Sequence, residues 1–493
     1  MTTASQRRPN ILWYCADQQR YDTIRALGQD HIETPQLDAL CAQGVAFRRA
    51  YTQSPVCTPA RATFLTGRYP AAHQVHRNGN AYFPPHEKLI TRMLADAGYD
   101  CGLVGKLHLS ASKYFEVRPD DGYRAFYWSH HPTPDATRGH DYDTWLRQEK
   151  KVDPVALYAP INYFCGPGVP AELHQTTWCS EMAIRFITEH RDGPWMLSVN
   201  PFDPHAPFDA PPEYLAKVRA ADLPLPLFRE SDLVRQPAFA AIDQQTKVAI
   251  DPRIRKHVAP VAAGDHDAIA SRPPDDYDAL EVKANYYAMI MLIDDQLGRI
   301  VDTLRDTGQL VDTIIVYMSD HGEMLGDHGL ILKGCRFFEG LVHVPLIVSW
   351  PEHVMHGVIS NALVETIDVA PTLLAAAGLP IPDSMQGRSL LPLLTGQTDP
   401  HRHRSHVVCE YFDAMGGHPD HTHGTMVFDG RFKSVVYHGH AIGELYDLEH
   451  DPGEFDNLWD QPAHRELWGT RIKYHLDAMM GTIGIGPPRF ANY

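Results

Sequence analysis

Four short apolar runs in this chain end in charged or amide residues and a fifth strand-like run leads to a cysteine, and no other feature constrains the fold as much. Asn10 to Cys15 runs into Asp17-Gln18, and Val45 to Tyr51 leads toward Cys57. Cys101 to Val104 delivers Lys106 and His108, Trp195 to Asn200 leads to His205, and Thr313 to Met318 ends at Asp320-His321. Apolar runs of this length, rich in β-branched residues, read as strands. Helical patterns lie between them: Thr34-Pro35 through Cys41 with Gly44 as the stop, His86 to Ala97, Leu173 to His190, and Leu280 to Asp306. Strands alternating with helices predict an α/β fold with a mostly parallel sheet. Such folds put their sites just past the carboxyl ends of the strands. The polar residues above should therefore gather on one edge of the sheet.

Bulk properties narrow the class. A chain of 493 residues with 44% apolar and 21% charged residues can bury a large core. A net charge of −17 argues against a general nucleic-acid binder, although a local cluster of cations can still take an anionic substrate. Met1 to Pro9 is polar, and Ile11 to Cys15 is too short for a signal peptide core or a membrane span, so a cytoplasmic protein is expected. The eight cysteines form no C-x-x-C pair, which speaks against structural zinc and for free thiols. Gly105-Lys106 is not a P-loop, because position 100 is Asp and Leu107 stands where Ser or Thr is required.

Cys57 has the most reactive setting. Thr58 suits a helix N-cap, Pro59 the first helical position and Gly67 the stop, which places Cys57 just before a helix N-terminus with Arg61 one turn on. Positive potential there favours an anion and a reactive thiol. Lys106 and His108, two apart, would share one side of an extended segment. Asp17, Gln18, Asp320 and His321 offer oxygen and imidazole donors suited to one Ca²⁺, Mg²⁺ or Mn²⁺ ion.

Cys57-Thr58-Pro59-Ala60-Arg61 followed by Thr66-Gly67-Arg68 closely resembles the signature of the type I sulfatases, within the alkaline-phosphatase-like superfamily. Gly105-Lys106-Leu107-His108-Leu109, Pro204-His205-Ala206-Pro207-Phe208 and Glu444-Leu445-Tyr446-Asp447-Leu448 are similar to further sulfatase segments. The resemblance implies a large, mostly parallel sheet flanked by helices (residues 1–380) and a smaller C-terminal α+β subdomain (381–493). It implies hydrolysis of an aryl or alkyl sulfate monoester, with Cys57 oxidised to formylglycine by a maturing enzyme. The hydrated aldehyde would ligate the metal beside Asp17, Gln18, Asp320 and His321 and attack sulfur. Arg61, Lys106 and Lys333 would stabilise the anion, His205 would be the general acid, His108 would assist hemiacetal breakdown, and Asn78 would bind a sulfate oxygen or serve as a turn residue.

The pairs Asp17-Gln18 and Asp320-His321 depart from the two carboxylates and Asp-Asn of many sulfatases. They are similar to those of phosphonate monoester hydrolases and choline-sulfatase-like members, which sets Mn²⁺ beside Ca²⁺ and adds phosphonate monoester or phosphodiester hydrolysis as an alternative. A catalytically silent binding protein would not be expected to keep Cys57, Arg61, Lys106, His205 and Lys333 together. Residues 110–172 read as loops that shape a pocket, with Tyr114, Phe115, Tyr127, Trp128 and Tyr163 as aromatics to stack an aryl group or simply to pack. The Gly- and Pro-rich end, Gly481 to Tyr493, reads as an arm, so a homo-dimer or tetramer is expected.

Overall fold

A computed structural model describes residues 8–112, 116–132, 140–161, 164–165, 168–239, 242, 251–253, 277–415, 422–484 and 486. Nine strands form one sheet: β1 (Asn10–Ala16), β2 (Gly44–Tyr51), β3 (Asp100–Gly105), β4 (Ala125–Trp128), β5 (Trp195–Asn200), β6 (Thr313–Ser319), β7 (His343–Val344), β8 (Leu346–Ser349) and β9 (Val358–Glu365). Their order is β4-β3-β5-β1-β6-β8-β2-β7, with β9 also on β2; only β8 and β7 run antiparallel to their neighbours. The expected mostly parallel sheet is therefore present.

Both faces of the sheet are covered, which is why its strands are apolar throughout rather than alternating. On β1, Ile11, Trp13 and Cys15 enter one core while Leu12, Tyr14 and Ala16 enter the other. The helices that cover it include α1 (Pro35–Ala42), α2 (Cys57–Thr66), α3 (Gln175–Thr188), α4 (Ala279–Asp306) and α5 (Val369–Ala376). The spans of α1 to α4 follow the sequence reading closely, whereas the helix expected from His86 covers only Ile90–Asp96.

Two strands were not anticipated. β4 lies within 110–172, the stretch expected to be loops, and Trp128 on it is core rather than a stacking surface. β9 carries Ser360-Asn361 in mid-run, which breaks its apolar signal. Tyr114, Phe115 and Tyr163 fall outside the described residues, as does most of the terminal arm.

The C-terminal strands β10 (Val407–Phe412), β11 (His423–Phe428), β12 (Phe432–Tyr437) and β13 (Gly443–Asp447) form an antiparallel meander in that order. Helix α6 (Arg465–Met480) lies against β11 and β12. The meander shares a core with the large sheet: Tyr51, Val56, Cys335 and Phe337 pack with Val407, Met426 and Val435. Behind that core, Lys433 donates to Glu339 at 2.6 Å, Glu454 at 2.8 Å and the Phe337 carbonyl at 2.9 Å.

Candidate active site

The register of β1 against β6 builds the site. The parallel pairing ends with Ala16 opposite Ser319, so Asp17 and Asp320 leave the sheet side by side. Both are fully buried. Arg61 reaches between them, 2.9 Å from Asp320 Oδ2 and 3.4 Å from Asp17 Oδ2. Lys106 Nζ also contacts Asp17. Lys106 is delivered by Gly105, whose φ of +97° and approach to the Asn200 carbonyl leave no room for a Cβ. The Lys106 carbonyl is held by Asn200 Nδ2 at 2.8 Å and by Arg61 at 3.2 Å.

Cys57 opens α2 instead of preceding it. Val56 is the N-cap residue, and the Thr58 hydroxyl is buried without a hydrogen-bond partner rather than capping the helix. The cap comes from outside: Asn78 Oδ1 accepts from the Thr58 N–H at 2.9 Å. Asn78 thus clamps the start of the helix that presents Cys57. Gly67 closes α2 in the left-handed region, as expected.

The Cys57 thiol lies 3.0 Å from His321 Nε2, 2.9 Å from Lys333 Nζ and 3.7 Å from Asp17 Oδ1. Burial and the Asp17 carboxylate push this thiol up; Lys106, Lys333 and His321 outweigh them and bring it to about 7. Lys333 Nζ also donates to His205 Nε2 at 2.9 Å and to Gln18 Oε1 at 3.0 Å. His205 Nδ1 faces the Ala206 carbonyl at 2.6 Å, so Nδ1 carries the ring proton and Nε2 accepts from Lys333. Burial and the neighbouring ammonium hold His205 well below the usual histidine range. The proton shared by this pair therefore rests on Lys333.

His321 has the same arrangement. Its Nδ1 donates to the Gly322 carbonyl at 2.9 Å, which turns the Nε2 lone pair toward Cys57 and Asp17. Asp17, Cys57, Asp320 and His321 each present a ligand atom within 4.8 Å of the others, all buried. Two carboxylates, a thiol and an imidazole nitrogen, next to the Gln18 amide oxygen, fit a divalent cation.

Lys106 and His108 do not project together. His108 has φ +57°, so the segment is not extended beyond Gly105. The His108 ring packs edge-on against His130, centroids 4.4 Å apart, and its buried Nδ1 has no hydrogen-bond partner. Burial, with Lys106 and Arg61 nearby, keeps this imidazole neutral, well below its ordinary value.

Two carboxylates escaped the sequence reading. Glu116 accepts from the backbone N–H groups of His108 at 2.8 Å, Leu109 and Ser110, and from the Trp128 indole, so it sets the loop after Lys106. Glu323 lies behind Gln18. Neither has a sequence signal of its own, because a carboxylate that gathers N–H donors needs no particular spacing. The Ser-Asp-His-Gly-Glu run after β6 was the only available cue to Glu323.

A family model described as Sulfatase matches residues 9–379, and one described as N-sulphoglucosamine sulphohydrolase, C-terminal, matches 326–480. The chain is 28% identical over 481 residues to an arylsulfatase of Clostridium perfringens, covering 95% of this chain and 92% of that protein. It is 31% identical over 501 residues to the multifunctional alkaline phosphatase superfamily protein PehA of Trinickia caryophylli, covering 93% of each. Among solved structures, it is similar to the phosphonate monoester hydrolase of Agrobacterium radiobacter, with a TM-score of 0.79, 27% identity and 98% of each chain covered.

Proposed function

Because the chain belongs to the sulfatase family, we infer that it hydrolyses sulfate monoesters at the Cys57 site. One observation carries this reading. Cys57 stands among Lys333, His321 and Asp17, with Lys106 and Arg61 bound to the same Asp17 carboxylate. A nucleophile at the start of a helix, surrounded by cations, suits attack on an anionic ester. Formylglycine, made at Cys57 by a maturing enzyme, would supply the attacking hydroxyl as its hydrate, after water adds to the aldehyde. A divalent ion, Ca²⁺ or Mn²⁺, held by Asp17, Gln18, Asp320, His321 and position 57, would polarise the ester oxygens.

The protein's own side chains account for the remaining roles. Arg61 and Lys106 hold the carboxylates in place and offset charge on the non-bridging oxygens. Lys333 and His205 Nε2, 2.9 Å apart, share one proton available to the leaving oxygen, with His205 as the general acid. Neutral His108 serves as the base that returns the nucleophile to its resting state. Asn78 faces the same helix start and donates to a substrate oxygen. The catalytic unit is assigned to residues 1–380 and the C-terminal subdomain to 381–493. The terminal arm makes a dimer or tetramer the expected assembly, checked by sizing with and without residues 487–493. Among the described residues no helix is long and apolar enough to cross a membrane; a cytoplasmic location is the working assignment.

The second reading is hydrolysis of phosphonate monoesters or phosphodiesters with the same nucleophile. Gln18 and His321 at the two metal pairs favour it, as does the likeness to a phosphonate monoester hydrolase. Turnover of one nitrophenyl leaving group on sulfate, phenylphosphonate and a phosphodiester decides between them, with formylglycine at position 57 verified by peptide mass. Sulfate is expected to have the highest kcat/KM; a higher value for phosphonate or diester would replace the first reading with the second.

A further inference from the structure

Gln18 is an ambiguous ligand. Its amide presents oxygen or nitrogen according to how it is turned, and only the oxygen can bind a cation. The backbone of Gln18 is pinned: φ is +71°, its N–H donates to Asp320 Oδ1 at 3.0 Å, and its carbonyl accepts from the Tyr286 hydroxyl at 2.7 Å. The sense of the amide is chosen separately. Behind it, Glu323 Oε2 accepts from Gln18 Nε2. The other oxygen, Oε1, is occupied by the backbone N–H groups of Leu325 at 3.1 Å and of Leu332. In front, Lys333 Nζ donates to Gln18 Oε1 at 3.0 Å. A carboxylate behind and an ammonium in front admit only one orientation.

We propose that Glu323 is a positioning residue that directs the Gln18 amide oxygen toward the Asp17–Cys57–Asp320–His321 cluster. The proposal rests on reading that cluster as a divalent-metal site. Glu323→Gln exchanges one carboxylate oxygen for an NH₂ group. The new amide must keep its oxygen on the two backbone N–H groups, because turning it would set donors against donors there. Its NH₂ then faces the Gln18 NH₂, so Gln18 is left with donors opposed either behind, at this NH₂, or, if it flips, in front at Lys333 Nζ and the metal ligands. Adding Gln18→Glu to Glu323→Gln undoes this. The new carboxylate accepts from the new amide with one oxygen and offers the other to the cluster.

The test is titration of the metal-free full-length chain with Mn²⁺ alone, following the free ion by electron paramagnetic resonance. Circular dichroism melts of each variant run alongside. Glu323→Gln is expected to weaken Mn²⁺ binding about 10- to 100-fold, in the range typical of residues that orient metal ligands. The double variant Q18E/E323Q is expected to recover most of that loss. Because a carboxylate at position 18 can strengthen Mn²⁺ binding by itself, Gln18→Glu alone is titrated too: a merely structural role for Glu323 would give the same Glu323→Gln loss in that background, whereas the positioning role removes it. Glu323→Gln binding Mn²⁺ like the wild type, or a double variant no better than Glu323→Gln, would overturn the proposal and leave the metal site standing. No Mn²⁺ uptake by the wild-type chain would remove both.

Discussion

Two buried lysines sit in opposite circumstances. Lys433, in the C-terminal sheet, spends all three N–H groups on Glu339, Glu454 and the Phe337 carbonyl. Glu339 in turn accepts from the Tyr51 hydroxyl at 3.0 Å and pairs with His343 at 2.8 Å. Burial pushes Glu339 up, but Lys433 and His343 overcome this and hold it far below the usual carboxylate range. That cluster leaves its ammonium no N–H for a ligand. Lys333, at the strand ends, faces a thiol, an imidazole and an amide oxygen. With Arg61 and Lys106 already on Asp17 and Asp320, cations are in surplus there. A structural cluster spends its cation on partners inside the protein, whereas a binding cluster leaves charge to be satisfied by what enters it.

The comparison can be broken at several points. Cys57→Ala should bring nitrophenyl sulfate turnover down to background while the melting curve stays close to wild type; retained turnover would end the assignment of the nucleophile. Lys333→Ala should cost about 10²- to 10³-fold in kcat/KM. Its melting temperature should not fall, since a surplus cation is being removed; a large drop would put Lys333 in the same class as Lys433. Lys433→Met should show the reverse, a loss of about 3–5 kcal/mol in urea unfolding because Glu339 and Glu454 lose the ammonium they share in the interior, with kcat/KM of the folded enzyme kept. His205→Ala should slow an alkyl sulfate about 10²-fold and nitrophenyl sulfate much less, because a good leaving group needs little proton assistance. Equal losses on both substrates would take the proton-delivery role from His205.

Much of this arrangement was legible because it depends on strand ends. Asp17, Lys106, His205 and Asp320 all follow apolar runs that could only be buried strands, and the parallel register brings them together. The Cys57 helix was legible in extent and stop but not in its start. Thr58 looks like a cap in sequence, yet the cap is Asn78, twenty positions away. β4 was hidden by its four residues inside a stretch rich in His and Pro, and β9 by the polar pair Ser360-Asn361 in mid-strand, of which only Asn361 is exposed. Glu116 and Glu323 were hidden for a different reason: what each does is set by the N–H groups that converge on it, and that convergence exists only once the chain has folded.

The clamp at the start of α2 also acts as a polarity filter. With one lone pair of its oxygen engaged by the Thr58 N–H, the Asn78 amide offers two N–H groups against one remaining acceptor position. An electron-rich ester oxygen finds two donors there. The contact that holds the helix in register thereby tilts the neighbourhood of Cys57 toward anions, without any charged residue at that position.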